Sequence, residues 1–227
     1  MIAYCLIHGS GQGPDGWKLL VDELERRGHR VLTPTFEVSR TDEGLAWHAD
    51  TIVQGLDRSG LNPADVVCVA HSASGIYLPI IAERWSPRRM VFLAAVVPRP
   101  GVSFIEQFRS DPSMFNPAWV GQNPLEDKVA LDFVFHDCPP DRLVWAMSTR
   151  IMFYAKRAIE EPCLRVWPSI PSAYIVCADD RTITPAWQRK AARELLGTEP
   201  VELPGGHCPH VSRPEALADL LEQIENK

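Results

Sequence analysis

The sequence predicts an α/β protein: a mostly parallel sheet of about six strands with helices on both faces, plus a small helical cap. Three observations carry this. Short apolar, β-branched runs alternate with segments of helical period along most of the chain. Those runs are too apolar to alternate, as expected of strands buried on both sides. The pattern breaks once, from about residue 97 to 168, where prolines and aromatic residues gather.

The predicted strands, in order, are Ala3 to Ile7, Arg30 to Thr33, Val66 to Ala70, Met90 to Leu93, Tyr174 to Cys177 and Val201 to Leu203. The first helix starts at Trp17, keeps its apolar residues on one face and stops at Gly28, which can adopt the left-handed conformation that ends helices. Gly44 to Leu56, Ile76 to Arg84, Pro185 to Leu196 and Pro214 to Ile224 have the same period, and two of these open on proline, whose missing N–H costs nothing in a first turn. The interruption contains Phe104, Phe108, Phe115, Trp119, Phe133, Phe135, Trp145 and Phe153. An ordered insertion this long is usually functional. It is expected to lie over the C-terminal strand ends, where open α/β sheets bind ligands, and its aromatics to shape an apolar pocket. The expected organisation is one domain, residues 1–227, with the cap as an insertion.

Composition narrows the function. The formal net charge of −6 arises from interspersed acids and bases, and no basic stripe is present to neutralise a phosphate backbone, so nucleic acid is not an expected partner. No apolar run reaches the roughly 18 residues of a membrane span. The first nine residues read as a strand and not as a leader, since a basic start and a cleavage site are missing. The six cysteines show no C-x-x-C spacing, which suits reduced thiols and a cytoplasmic location. A homodimer is compatible with the sequence, which does not specify assembly.

The strongest chemical signal is Val66-Val-Cys-Val-Ala70-His71-Ser72-Ala73-Ser74-Gly75, an apolar strand running through a serine into a helix. That is the context of a nucleophile elbow, in which the serine sits on a strained tight turn and needs small residues two positions to either side. Ala70 and Ser74 meet the requirement around Ser72, although they replace the usual glycines; Ser74 is the poorer nucleophile because Ile76 would occupy its small position. The bland reading of Ser72 is a helix N-cap. A second signal is the loop His8-Gly9-Ser10-Gly11-Gln12-Gly13-Pro14-Asp15-Gly16, whose amides can face a developing oxyanion. The expected donors are the Ser10 and Ala73 N–H groups. A nucleotide loop is the rival, but G-x-x-x-x-G-K-[ST] is absent and no acidic residue closes the second strand.

A serine needs a base, and the base must be oriented. Asp179-Asp180 follows the fifth strand and Gly205-Gly206-His207 follows the sixth, so serine, acid and histidine appear in the order this chemistry uses on such a sheet. Asp180 is favoured as the acid, with Asp179 a turn residue, and His207 is favoured over His210 because the paired glycines give it a mobile loop. His71 is expected to pack beneath the elbow and His8 to fix the glycine-rich loop, while His29, His48 and His136 are expected to lean toward solvent. His207-Cys208-x-His210 lacks a second cluster to complete a zinc site, and neither a metal nor a cofactor is expected.

With these residues in place the chain resembles the α/β-hydrolase superfamily, in the branch of plant methyl-ester esterases, hydroxynitrile lyases and bacterial pyrethroid-type carboxylesterases. The similar stretches are Ile7-His-Gly-Ser10 with Trp17 beyond, Ala70 to Gly75, Val91 to Pro98, Tyr174 to Asp180, and Gly206-His207 leading to Arg213-Pro214. The resemblance implies the α/β-hydrolase fold, Ser72, Asp180 and His207 as triad, and the Ser10 and Ala73 amides as oxyanion hole. It implies an esterase acting on a small, largely apolar ester without a cofactor. The alternatives are a lyase on the same triad and a ligand receptor on the same fold. Hydroxynitrile lyases of this branch carry a lysine after the histidine where this chain has Cys208, which disfavours cyanohydrin cleavage. The first loop is also longer than in the plant enzymes.

Overall fold

A computed structural model describes residues 2–226. Along the chain come β1 (Ala3–Ile7), α1 (Lys18–Arg26), β2 (Arg30–Leu32), α2 (Leu45–Arg58), β3 (Val66–His71), α3 (Leu78–Trp85) and β4 (Arg89–Leu93). The segment between β4 and β5 then carries α4 (Phe104–Ser110), α5 (Asp127–Val129) running into a π turn, α6 (Pro140–Ser148) and α7 (Lys156–Glu160). The last part is β5 (Ser172–Cys177), α8 (Pro185–Leu195), β6 (Val201–Leu203), α9 (Pro209–Ser212) and α10 (Pro214–Glu225).

All six strands are parallel, in the order β2-β1-β3-β4-β5-β6. Alternate side chains supply two cores. Ala3, Cys5 and Ile7 of β1 face one way, with Cys68 and Ala70 of β3 and Phe92 of β4, against α2, α3 and α8; Tyr4 and Leu6, with Val67, Val69, Val91 and Leu93, face α1 and α10. Covering both faces is what makes the strand sequences continuously apolar. Leu24 of α1 is fully buried on the second face, and truncating such a side chain to alanine typically costs about 2–5 kcal/mol.

The chain runs from β1 outward to β2, then crosses back to β3 on the other side of β1. The exits of β1 and β3 therefore lie side by side, with Ile7 registered against Ala70. Such a switch point is where open α/β sheets bind ligands. Strand ends agree with expectation to within two residues, but the third helix does not begin at Ile76. Ser72–Ile76 is a 3-10 turn and α3 starts at Leu78, because Pro79 fits only a first turn and the tight bend at Ser72 must be absorbed before it.

His48 also departs from expectation. It is 1% exposed, enclosed by Phe36, Tyr77 and Phe153, and among the described residues neither ring nitrogen has a hydrogen-bond partner. Burial pushes its imidazole below the usual histidine range. Among the described residues no helix is long and apolar enough to cross a membrane.

Candidate active site

Ser72 leaves β3 with φ +58°, in the left-handed region that costs a residue with a side chain roughly 1–2 kcal/mol. The surroundings hold it there. Val96 N–H donates to the Ser72 carbonyl at 3.0 Å, and the Ser74 hydroxyl bonds the His71 and Ile7 carbonyls at 2.7 and 3.1 Å. A Cβ on Gly9 would lie 2.9 Å from that of Ser72, and one on Gly75 would overlap the Val96 carbonyl oxygen. The tightest small-residue requirement thus falls three positions after the serine, at Gly75.

The Ser72 hydroxyl lies 3.0 Å from His207 Nε2, and His207 Nδ1 lies 2.8 Å from Asp180 Oδ2. A carboxylate only accepts, so Nδ1 carries the proton and Nε2 is left to accept from the serine. His207 and Asp180 are 5% and 6% exposed, which shields this chain of bonds from water. Asp180 is held further by two residues the sequence did not single out. Thr182 donates to Oδ1 through its N–H at 2.7 Å and its hydroxyl at 3.0 Å, and that hydroxyl also lies 2.8 Å from His207 Nδ1. The Gln188 side-chain amide donates to Oδ2 at 2.8 Å while its carbonyl accepts from Cys177 N–H. Asp179 points elsewhere and caps the next loop by accepting from Gly205 N–H at 3.0 Å.

The loops around the serine are pinned from outside. His8 donates through Nδ1 to the Gly9 carbonyl and accepts from Phe36 N–H through Nε2. Gln12 donates to the Thr149 hydroxyl at 2.7 Å, Gly13 N–H donates to the Thr149 carbonyl, and Phe153 N–H donates to the Ser10 carbonyl. Thus the segment between β4 and β5 fixes the glycine-rich loop. It fixes the His207 loop too, because Asp137 accepts from Gly206 N–H at 2.8 Å, from the Ser212 hydroxyl at 3.0 Å and from Arg213 at 2.9 Å.

Beneath the elbow, His71 donates to the His207 carbonyl at 2.8 Å. His210 donates to Gln12 Oε1 at 2.7 Å and packs against the Trp17 ring, tilted by 41° at a centroid distance of 4.2 Å. Burial pushes His71 well below the ordinary histidine range, assisted by the neighbouring His207 and His210 rings, and pushes His210 down to about 3. His71, Cys208 and His210 are the one group of possible metal ligands among the described residues, within 4.8 Å of one another. Both imidazoles already spend Nε2 on hydrogen bonds, which fits packing under the elbow.

Two recesses meet at Ser72. A larger cavity of about 180 Å³ is walled by Phe36, Ile76, Tyr77, Phe115 and Phe153, and Ser10, Ser72 and Ala73 also line it. A smaller one of about 30 Å³ adjoins His207 and Cys208 and is also lined by Trp119 and Val134. Of the expected aromatics, Phe104, Phe115, Trp119 and Phe153 face the larger cavity. Phe133, Phe135 and Trp145 instead pack in a separate core with Cys208 and Val211.

A serine, an imidazole and a carboxylate in hydrogen-bonded series at the C-terminal end of a parallel sheet, on a strained strand-to-helix turn, define a class of α/β enzyme folds. The chain belongs to the alpha/beta hydrolase family, whose model matches residues 6–220. It is 27% identical to salicylic acid-binding protein 2 of Nicotiana tabacum over 99% of this chain and 97% of that protein. Among solved structures it is similar to a pyrethroid hydrolase of Sphingobium faniae, with TM-score 0.79 and 21% identity over 99% of this chain and 97% of that one. Polyneuridine aldehyde esterase has TM-score 0.81 and 21% identity, with 99% of each chain covered. These likenesses to solved structures bear on the fold.

Proposed function

We propose that the protein hydrolyses a small, largely apolar carboxylic ester through an acyl-enzyme. The observation that carries this is the continuous series from the Ser72 hydroxyl through His207 to Asp180. His207 Nε2 takes the serine proton, Ser72 Oγ attacks the ester carbonyl, and the imidazolium formed is stabilised by Asp180. The amides of Ser10 and Ala73, which line the cavity together with Ser72, receive the oxyanion. His207 then gives its proton to the departing alcohol, and a water repeats the sequence on the acyl-enzyme. No cofactor takes part.

Since the alcohol is protonated by His207, it leaves from the His207 side, where the recess is small. The acyl group then occupies the larger aromatic cavity. A sequence relative named methylesterase 8, from Arabidopsis thaliana and 26% identical over 99% of this chain, supports ester chemistry. Burial pushes the Cys208 thiol well up, so the residue after the base stays neutral and supplies no cation for cyanide. Ser72→Ala is expected to lower kcat/KM on a methyl or p-nitrophenyl ester by a factor on the order of 10³ or more. A fluorophosphonate should label the native protein at Ser72. Full activity in the alanine variant would refute the assignment, and a ligand receptor would show neither turnover nor labelling.

A further inference from the structure

The chain has four tyrosines, and their hydroxyls have different fates. Tyr174 donates to the Ala95 carbonyl at 2.7 Å. Tyr154 also lines the larger cavity but is 53% exposed, so its hydroxyl is already satisfied by water. Tyr4 is sealed inside the second core without a partner. Tyr77 is 3% exposed and lines the larger cavity with Ser72; among the described residues its hydroxyl has no hydrogen-bond partner, yet it is not one of the atoms sealed from solvent. A phenol in an apolar wall ordinarily finds a partner, and leaving it unpaired is a cost that a bound group can remove.

The rest of the cavity offers a ligand little polarity. His8 is spent on Gly9 and Phe36, Ser74 on two backbone carbonyls, and Thr182 on Asp180. Ser10 and Ser72 belong to the reacting end. The Tyr77 ring is held by Phe36 at 4.8 Å, itself stacked on Phe153 at 4.4 Å, so the hydroxyl is presented by a rigid aromatic wall. Among the described residues no lysine or arginine lines the cavity, so a charged acceptor would be left unpaired there. Burial pushes the Tyr77 phenol up, out of reach of physiological ionisation, and it acts as a neutral donor.

We infer that Tyr77 is a specificity-determining residue that donates a hydrogen bond to a neutral oxygen, a ketone or ether, on the acyl part of the ester. This rests on the proposed ester hydrolysis and deepens it: the substrate class becomes esters of apolar acids bearing one uncharged oxygen acceptor away from the reacting carbonyl. An acid of hydrocarbon alone fills the cavity but leaves the phenol unpaired.

The test is a matched series, the methyl ester of phenylpentanoic acid and its keto counterparts with the ketone at successive chain carbons. The native protein should favour at least one keto ester over the hydrocarbon ester by about tenfold or more in kcat/KM. Tyr77→Phe should bring that ratio to about one, and Ser72 labelling by a fluorophosphonate reports whether the variant is folded. A merely structural role for Tyr77 would lower all esters together and preserve the ratio. Equal turnover of keto and hydrocarbon esters by the native protein, or a preference that survives in Tyr77→Phe, overturns the inference while leaving ester hydrolysis intact. Absence of both turnover and labelling in the native protein would overturn the reading beneath it as well.

Discussion

Asp179 and Asp180 are adjacent and chemically identical, yet the turn after β5 gives them separate tasks. Asp180 faces inward to His207, and Asp179 faces the Gly205 amide. Asp180→Asn would present an amide to Nδ1 and favour the wrong tautomer, so kcat is expected to fall by a factor on the order of 10³–10⁴. Asp179→Asn keeps an acceptor for Gly205 and should change kcat by no more than a few-fold; steady-state kinetics on one ester compares the two. Ser72, His207 and Asp180 were legible because each follows an apolar run in a fixed order. Thr182 and Gln188 were not, since they act on Asp180 and carry no reacting atom. Thr182 left a faint signal, a hydroxyl two residues after an aspartate in a turn. Gln188 left none, because a glutamine in an amphipathic helix normally reads as solvated, and only its complete burial shows otherwise.

At the scale of elements, the strands begin within two residues of expectation and four of the five predicted helices within one, whereas the start of α3 depended on a tertiary demand. The elbow shows why: the bend at Ser72 is absorbed before α3 and Pro79 fits only a first turn, and within that bend a Cβ on Gly75 would overlap the Val96 carbonyl oxygen. Gly75→Ala is therefore expected to destabilise the fold by about 1–3 kcal/mol, read as a lower midpoint in urea. The segment between β4 and β5 resisted reading for the opposite reason. Its helices are short, and their apolar residues answer partly to the cavity and partly to a core shared with Cys208 and Val211, so no single period survives. Its Asp137 joins the segment to the His207 loop through Gly206, Ser212 and Arg213. Asp137→Ala should lower kcat about tenfold while Ser72 keeps its place, because a loosened loop misplaces the base; pre-steady-state labelling and kcat together test this.

For the whole molecule, four buried imidazoles set the response to acid. Burial lowers His8, His48, His71 and His210 below their ordinary range, so below the unfolded value near 6.5 the unfolded chain binds more protons than the native one. Stability then falls as pH falls. With His210 lowered to about 3, its share of the loss at pH 5.5 is about 1 kcal/mol. Thermal midpoints between pH 7.5 and 5.5 should fall, and His210→Gln should flatten that slope whatever it does to the midpoint at neutral pH. The number of strands and their places along the chain were legible in the sequence, and so was the packing of His71 beneath the elbow, but the burial of His48 and His210 was not: His48 looked like a surface residue of a helix. The sheet's outermost strand on the histidine side, β6, spans three residues and pairs only with β5, while the serine stands on a central strand. Turnover is accordingly a sensor of the sheet's margin. Under mild denaturant the hydrolytic signal should disappear before the helical circular dichroism does, so an assay of stability by activity alone would report the strength of one edge and miss that of the interior.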